Sequence, residues 1–310
     1  MQHESSTRAP LVSIGVPVFN GERHVGRAID SLRQQGFADF EVLLCDNGST
    51  DRTRAICEAY VAEDERFKYF GSDMNHGPSW NFQRCLDKAR GTYFMWLASD
   101  DYLDPQYVGT CIEGLEANAD AALASGRVVY QSVGRTATSP PIVAAAQDSP
   151  LSRILSYALN VGDNGTFYGV YRRKLVANLG LVRILGGDWL WMFEVAAIGK
   201  IVACPQVAVY REDSWATTTP GAYYRKISTV STSGPISSSF PRTAIAANMA
   251  AAIAWRSTAF AVLGAPKRAA LAAMVGGILW LRLSILMLKS SLLRLWVLTR
   301  SRGAHAGLRK

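Results

Sequence analysis

Residues 91–101 read Gly-Thr-Tyr-Phe-Met-Trp-Leu-Ala-Ser-Asp-Asp, an apolar run over Tyr93–Leu97 that stops at two adjacent carboxylates, Asp100 and Asp101. A short continuous apolar run bounded by turn residues fits a strand buried on both faces, as in a parallel sheet. Open sheets of that kind bind ligands beyond the carboxyl ends of their strands, which puts both aspartates at the mouth of a site. Neighbouring carboxylates repel each other unless a cation neutralises them. Hard oxygen donors suit Mg²⁺ or Mn²⁺, with phosphate as a co-ligand. For an isolated Asp-Asp pair, a solvated loop with a helix N-cap before Asp104-Pro105 is the better account, and the place of this pair after a buried strand is what raises the functional reading. The rest of the chain decides between them.

Strand and helix patterns alternate from residue 11 to 101. Leu11–Val18 is an apolar strand whose ladder Pro17 should end, and Asn20-Gly21 is a turn. Val25, Ala28, Ile29 and Leu32 have helical spacing within Glu22–Gln35. Phe40–Cys45 is a second strand running into Asp46-Asn47-Gly48-Ser49-Thr50-Asp51, where Ser49 or Thr50 can cap a helix over Arg52–Ala62. Phe67–Phe70 is a third strand, Asn75–Pro78 a loop and Ser79–Ala89 a helix leading to the Tyr93 strand. Such alternation builds βαβ units and a mostly parallel sheet flanked by helices.

Farther on, the pattern predicts a helix to about Asn118, a strand over Ala121–Tyr130, and a polar, Pro-rich loop over Gln131–Pro150. A helix over Leu151–Leu159, a strand over Thr166–Tyr171, a helix over Trp189–Ile198 and a strand over Lys200–Val209 follow. Residues 1–10 are polar, without the apolar stretch of a secretory leader, and are expected to be a flexible tail. Cys45, Cys57, Cys85, Cys111 and Cys204 lack CxxC spacing and mostly sit in apolar patterns, as buried free thiols of a reducing compartment do.

Charge divides the chain. All 25 acidic residues lie at or before Asp213, whereas 13 of the 33 Lys and Arg follow it. Residues 214–243, rich in Ser, Thr, Gly and Pro, are expected to be a lid or linker, and 244–310 a basic, apolar helical extension. Within that extension Ala269–Leu281 is apolar throughout. It is short of the roughly 20 residues a membrane span needs. Arg268, Arg282, Lys289 and Arg300 fall on one helical face, which favours a helix lying in an anionic membrane interface over one that crosses it. Packing against the domain or a second subunit is the alternative. Nucleic acid is disfavoured because the basic residues are interleaved with long apolar runs and form no aromatic platform.

Asp46, Asp100, Asp101 and Asp188 all stand where strands end or a helix begins. Each alone has an ordinary explanation in turn or cap chemistry. Together with Pro17–Glu22 (PVFNGE), Asp46–Asp51 (DNGSTD), Asn75–Phe82 (NHGPSWNF), Gly186–Trp189 (GGDW) and Tyr210–Asp213 (YRED), they make residues 11–213 resemble a family 2 glycosyltransferase. The resemblance implies a GT-A fold and inverting transfer from a nucleotide-diphosphate sugar, UDP- or dTDP-linked, to a glycan or lipid-linked acceptor in surface polysaccharide or glycolipid synthesis. The basic, apolar tail adds the expectation of a peripheral place on the cytoplasmic face of the cell membrane.

By the same resemblance Pro17, Phe19, Glu22, Asn75 and Gly77 border the nucleotide, and Asp46 accepts from a pyrimidine N3–H, which cytosine lacks. Asp101 is the expected ligand of Mn²⁺ or Mg²⁺, Asp100 the ribose or second-sphere carboxylate, and Asp188 the catalytic base. The motif usually written Asp-X-Asp begins here with Ser99. The His that many members carry after the last Arg is missing from Tyr210–Asp213, leaving Glu212 or Asp213 as substitutes. Trp189 or Trp191 is a candidate to face the acceptor. Two other readings compete. A sugar nucleotidyltransferase would want a Gly-rich basic loop after the first strand, and Val16–Glu22 has only one Gly. A silent nucleotide-sugar-binding scaffold would not need all four aspartates.

Overall fold

A computed structural model describes residues 8–131, 139–212 and 240–306, with side chains omitted at 241–242 and from 286 onward. The expectations for residues 1–7, for part of the Gln131–Pro150 loop, for Asp213 and for most of the 214–243 lid or linker lie outside the described residues. The chain forms two compact units, Met1–Thr232 and Ser233–Lys310.

The first unit is built on one sheet. β1 (Val12–Val18), β2 (Phe40–Asp46), β3 (Phe67–Phe70) and β4 (Tyr93–Trp96) alternate with α1 (Val25–Arg33), α2 (Thr53–Glu63) and α3 (Pro78–Lys88). Every residue of β1, β2 and β4 is buried, as their uninterrupted apolar runs require. These strands are parallel in the order β3-β2-β1-β4, with Val18 opposite Asp46 and Gly15 opposite Trp96. Their carboxyl ends therefore open on one edge. β1 runs one residue past Pro17, which pairs with Cys45 inside the sheet and does not end the ladder. A Cβ at Gly15 would lie 2.5 Å from Cys85 Cβ, so only glycine lets α3 lie this close to β1.

The other half makes the sheet mixed. After β5 (Tyr102–Leu103) and α4 (Tyr107–Glu116) come the long strand β6 (Ala121–Gln131), α5 (Pro150–Asn160), β7 (Val170–Arg172), α6 (Arg173–Val176), α7 (Gly187–Ile198) and β8 (Lys200–Glu212). The full order is β3-β2-β1-β4-β7-β6-β8-β5, with β7 and β5 antiparallel to their neighbours. The strand expected over Thr166–Tyr171 is instead a 3₁₀ turn, Gly165–Tyr168, followed by β7. The aromatic side chains explain the change. Phe167 stacks on Trp96 at 4.7 Å and 6°, and the Tyr171 hydroxyl donates to the Phe167 carbonyl at 2.6 Å, closing the turn.

The second unit holds α8 (Pro241–Ala251), a π-helical turn (Ala252–Arg256), a 3₁₀ segment (Thr258–Leu263) and α9 (Ala265–Ala306). The helical extension expected from residue 244 onward breaks at Ser257, which is extended and whose hydroxyl accepts from Ala259 N. Arg268 of α9 donates to the carbonyls of Ile253 and Ser257 at 2.9 and 3.0 Å, satisfying groups the break frees. α9 buries Leu271, Ala272, Val275, Leu279 and Leu283, while Met274, Trp280, Leu281 and Ile285 stay exposed. Its stretch Ala265–Ile285 (21 residues, mean hydropathy 1.4) is long and apolar enough to cross a membrane.

Candidate active site

Three chain segments meet at the carboxyl edge of the parallel strands. The first is the turn after β1, locked to the one after β2. Asn20 N donates to Ser49 Oγ at 2.8 Å, and Thr50 N donates to Asn20 Oδ1 at 2.9 Å. Ser49 and Thr50 are thus spent on this clasp. The amino end of α2 is held by Asp51, which accepts from Thr53 N at 3.0 Å, and by Glu22, which accepts from Arg52 N at 3.1 Å. Glu22, expected beside the nucleotide, is exposed and engaged in this cap. Pro17 is buried in β1, while Phe19 just beyond it is 45% exposed.

Asp46 ends β2 and is buried. Its carboxylate accepts from Ser49 N at 3.0 Å and from the Tyr69 hydroxyl at 2.8 Å, which fixes its plane. Asn47 then stitches in the loop before α3, donating to Asn75 Oδ1 at 2.9 Å and to the Gly77 carbonyl at 3.1 Å, and accepting from His76 N. Gly48 makes the approach possible. Its φ is +77°, and a Cβ there would sit 2.7 Å from the Met74 backbone. Asn75 and Gly77 are thereby carried to the same edge as Asp46.

The second segment carries Asp100 and Asp101, and the structure separates them. Asp100 is exposed, and its backbone carbonyl accepts from Arg27 at 2.8 Å. Asp101 is buried and accepts from Arg211 Nε at 2.9 Å. The pairing of β5 with β8, Tyr102 opposite Tyr210, sets Asp101 beside Arg211. The guanidinium also lies 4.5 Å over the Tyr168 ring. Burial pushes Asp101 up to about 7, with Asp100 adding to the rise and Arg211 opposing it. Glu212, a candidate for the missing His, is exposed on β8 opposite Gln131.

The third segment brings in Asp188, in the first turn of α7 after Gly186 with φ 82°. Its Oδ1 accepts from Trp189 N at 2.8 Å, and its Oδ2 accepts from Asn164 Nδ2 at 2.7 Å. Burial raises this carboxyl, and the helix N–H groups and Arg211 only partly offset it. Trp191 is not available to an acceptor: it is fully buried, 5.2 Å from Trp96 in an aromatic cluster beneath the edge. Trp189 is half-buried. Arg172 lies away from this edge, where its Nε donates to the Ala121 carbonyl at 3.0 Å at the start of β6.

Among the described residues no three His, Cys, Asp or Glu side chains converge. The donor set nonetheless suits Mg²⁺ or Mn²⁺, which commonly take one or two protein carboxylates and complete their shell with water and substrate phosphate. Asp100 is the accessible carboxylate of the pair. Sequence reasoning missed Asn164, Arg27 and the Tyr69 contact to Asp46. Asp163-Asn164-Gly165 reads as an ordinary turn, and only the fold brings it against Asp188.

The family model described as Glycosyl transferase family 2 matches residues 13–180, more than half of the chain. A β-1,3-glucosyltransferase of Campylobacter jejuni, acting on GalNAc(5)-diNAcBac-PP-undecaprenol, is 28% identical over 210 residues, covering 66% of this chain and 67% of that protein. Chondroitin synthase of Escherichia coli is 34% identical over 134 residues, 43% of this chain and 19% of that protein. The chain thus spans from about a fifth to two thirds of these relatives' lengths. Among solved structures, residues 1–349 of S. aureus TarS with UDP-GlcNAc superpose with a TM-score of 0.55 at 21% identity, covering 81% of this chain and 75% of that one. A mannosyltransferase of Pyrobaculum calidifontis with GDP-Man and Mn²⁺ gives 0.50 at 15% identity over 89% of this chain and 88% of that one.

Proposed function

The chain belongs to glycosyltransferase family 2, and from that premise we propose that it transfers a sugar, with inversion, from a nucleoside diphosphate sugar to a hydroxyl of a glycan or lipid-linked acceptor. The observation that carries the reading is Asp46 at the end of β2 and Asp100 just beyond β4, at the same edge of the sheet, with Asp188 within electrostatic reach of the Arg211 that pairs with Asp101. Asp46, fixed by Ser49 and Tyr69, retains lone pairs to accept from the N3–H of uracil or thymine. Phe19, just past β1, and Asn75 and Gly77, tied to Asn47, would border the base beside it. Asp100, exposed beside the buried Asp101–Arg211 pair, is the better placed of the two to meet a divalent cation and the diphosphate. Asp101 then acts from behind by anchoring that turn. A bound Mg²⁺ or Mn²⁺ supplies Lewis-acid neutralisation of the leaving diphosphate.

Asp188 is the base. Its raised carboxyl binds a proton more readily than an exposed one does, which suits general-base work near neutral pH. As the acceptor oxygen bonds to the anomeric carbon, its proton passes to Asp188. The bond from that carbon to phosphate breaks, and its electron pair leaves with the nucleoside diphosphate. A single displacement inverts the anomeric centre, and no second nucleophilic carboxylate is needed.

The second unit suits an anionic membrane surface. Met274, Trp280, Leu281 and Ile285 present an exposed apolar face, with Arg256, Lys267 and Arg282 nearby in sequence. The undecaprenol-linked substrate in the C. jejuni relative's name supports the same placement. The proposed working location is the cytoplasmic face of the cell membrane.

The test is binding and hydrolysis of UDP-, dTDP-, GDP- and CMP-sugars with Mn²⁺, Mg²⁺ or EDTA, for wild type and Asp188→Asn. Metal-dependent binding of one uridine or thymidine donor by both proteins, with turnover by wild type alone, is expected. Binding without turnover in wild type supports a silent scaffold. No metal-dependent binding by either protein rejects the donor site.

A further inference from the structure

We propose that Asn164 is the positioning residue for Asp188, its side-chain amide fixing the orientation in which the carboxylate meets the acceptor hydroxyl. The inference rests on the reading of Asp188 as the base. Asn164 Nδ2 donates to Asp188 Oδ2 at 2.7 Å from a turn far away in sequence, while Trp189 N takes Oδ1 at 2.8 Å. One donor on each oxygen removes the carboxylate's freedom to rotate about its last bond. It also leaves each oxygen lone pairs for the incoming proton. The turn itself is rigid: Asp163 Oδ1 accepts from Gly165 N at 2.6 Å, and a Cβ at Gly165 would meet Val128 Cγ2 at 2.0 Å.

A second observation separates this amide from an ordinary turn residue. Among the described residues, Asn164 Oδ1 is buried with no hydrogen-bond partner. A buried unsatisfied acceptor costs on the order of 1–3 kcal/mol, so the residue is not placed there by its own stability. Among the described residues the amide is oriented by its bond to Asp188. An asparagine serves this purpose better than a lysine or arginine would, because a neutral donor orients the carboxylate without depressing its basicity as a full charge does.

The groups facing Asp188 are few. Asp163 flanks the turn, the Tyr157 hydroxyl approaches from α5, the Tyr168 hydroxyl from the 3₁₀ turn, and Arg211 from β8. Burial keeps both tyrosines protonated through the working range. Arg211 stays charged. Asp163 is the remaining carboxylate neighbour, and Asp163→Asn serves as the control for its contribution.

The experiment compares Asn164→Ala and the isosteric Asn164→Asp with wild type in the full chain. It uses donor turnover across pH together with carboxyl-carbon NMR of aspartate-labelled protein, the Asp188 signal being assigned by Asp188→Asn. Asn164→Ala should lower kcat about 10- to 100-fold, within the span a positioned base contributes, while donor KM stays within about threefold. The Asp188 titration and the acidic limb of kcat should both move upward, because a donor to the ionised form is lost. Asn164→Asp should move them further, since two carboxyls this close cannot both ionise. An Asp188 resonance that titrates as in wild type in both variants overturns the proposal, and so does a kcat loss matched by an equal rise in donor KM. If wild type transfers no sugar, the reaction reading fails. The NMR titration still decides the positioning role, and Asn164→Asp carries the test if the alanine variant does not fold.

Discussion

Glu41 on β2 lies at the amino edge of the parallel strands and Asp101 and Asp188 lie toward the carboxyl edge, and their surroundings are built on opposite plans. Glu41, at the amino edge, is surrounded by donors: Ser13 Oγ at 2.8 Å, Lys68 Nζ at 2.7 Å, and Arg90 through its side chain at 2.8 Å and its backbone N at 3.3 Å. Burial alone would raise Glu41, but these partners outweigh it and hold the carboxyl below its ordinary range. At the carboxyl edge the balance reverses. Asp101 has Arg211 as its side-chain partner and is pushed up to about 7, and Asp188 is raised as well. A carboxylate whose donors outweigh its burial stores stability. One whose burial outweighs its donors is held ready for a proton or a ligand, at a cost to the fold.

The sharpest way to break this comparison is Asp188→Asn. If the carboxyl edge is reserved for chemistry, turnover should fall by about 10³-fold while donor affinity and thermal midpoint stay near wild type. A large drop in stability with little loss of turnover would make the two edges alike. Next comes Arg211→Gln, which strips Asp101 of its cation and should cost roughly 2–4 kcal/mol at pH 8. Asp101 has a native pKa above its unfolded value, so folding favours its protonated form. That contribution is complete below about pH 4 and is lost as pH rises through the native value near 7. Without Arg211 the loss deepens, so the variant should be closest to wild type near pH 5 and furthest from it near pH 8, by denaturant titration at each pH. A uniform loss at both pH values would mean that Arg211 acts through its packing on Tyr168 and not through charge.

How far these edges were legible in the sequence follows from the range of the contacts that make them. β1, β2 and β4 announce themselves because each is buried along its whole length, so the apolar run and the strand coincide. Asp46 and Asp100 drew attention because each stands at the end of such a run. Asp188 did so only through the GGDW motif of the family resemblance, because Gly186-Gly187 by itself fits a plain helix N-cap. The Asp101–Arg211 pair could not be found this way. It depends on a two-residue strand, β5, pairing antiparallel with β8, and two residues carry no periodicity. Asn164 was hidden for the same reason. The strand expected over Thr166–Tyr171 failed because its aromatic side chains are claimed by Trp96 and by one another, a tertiary preference that local pattern does not register. The roles expected for Pro17 and Glu22 rested on motif position, whereas Pro17 is buried in the sheet and Glu22 holds the start of α2.

The smallest effect belongs to the closed edge and carries the opposite sign in pH. Glu41→Gln keeps the shape but removes the charge that Arg90 and Lys68 address. Both cations are well exposed, at 47% and 38%, so solvent already screens much of the attraction. The cost should be about 1–2 kcal/mol at neutral pH. Because the native pKa of Glu41 lies below its unfolded value, its stabilisation is present above about pH 4.3 and is lost as pH falls through the depressed native value. Wild type and variant should therefore differ at pH 7 and converge under acid, the mirror image of Arg211→Gln. Parallel stability curves for Glu41→Gln across that range would show that burial of the side chain, and not its donors, is what the amino edge contributes, and the contrast between the two ends would rest on Asp101 and Asp188 alone.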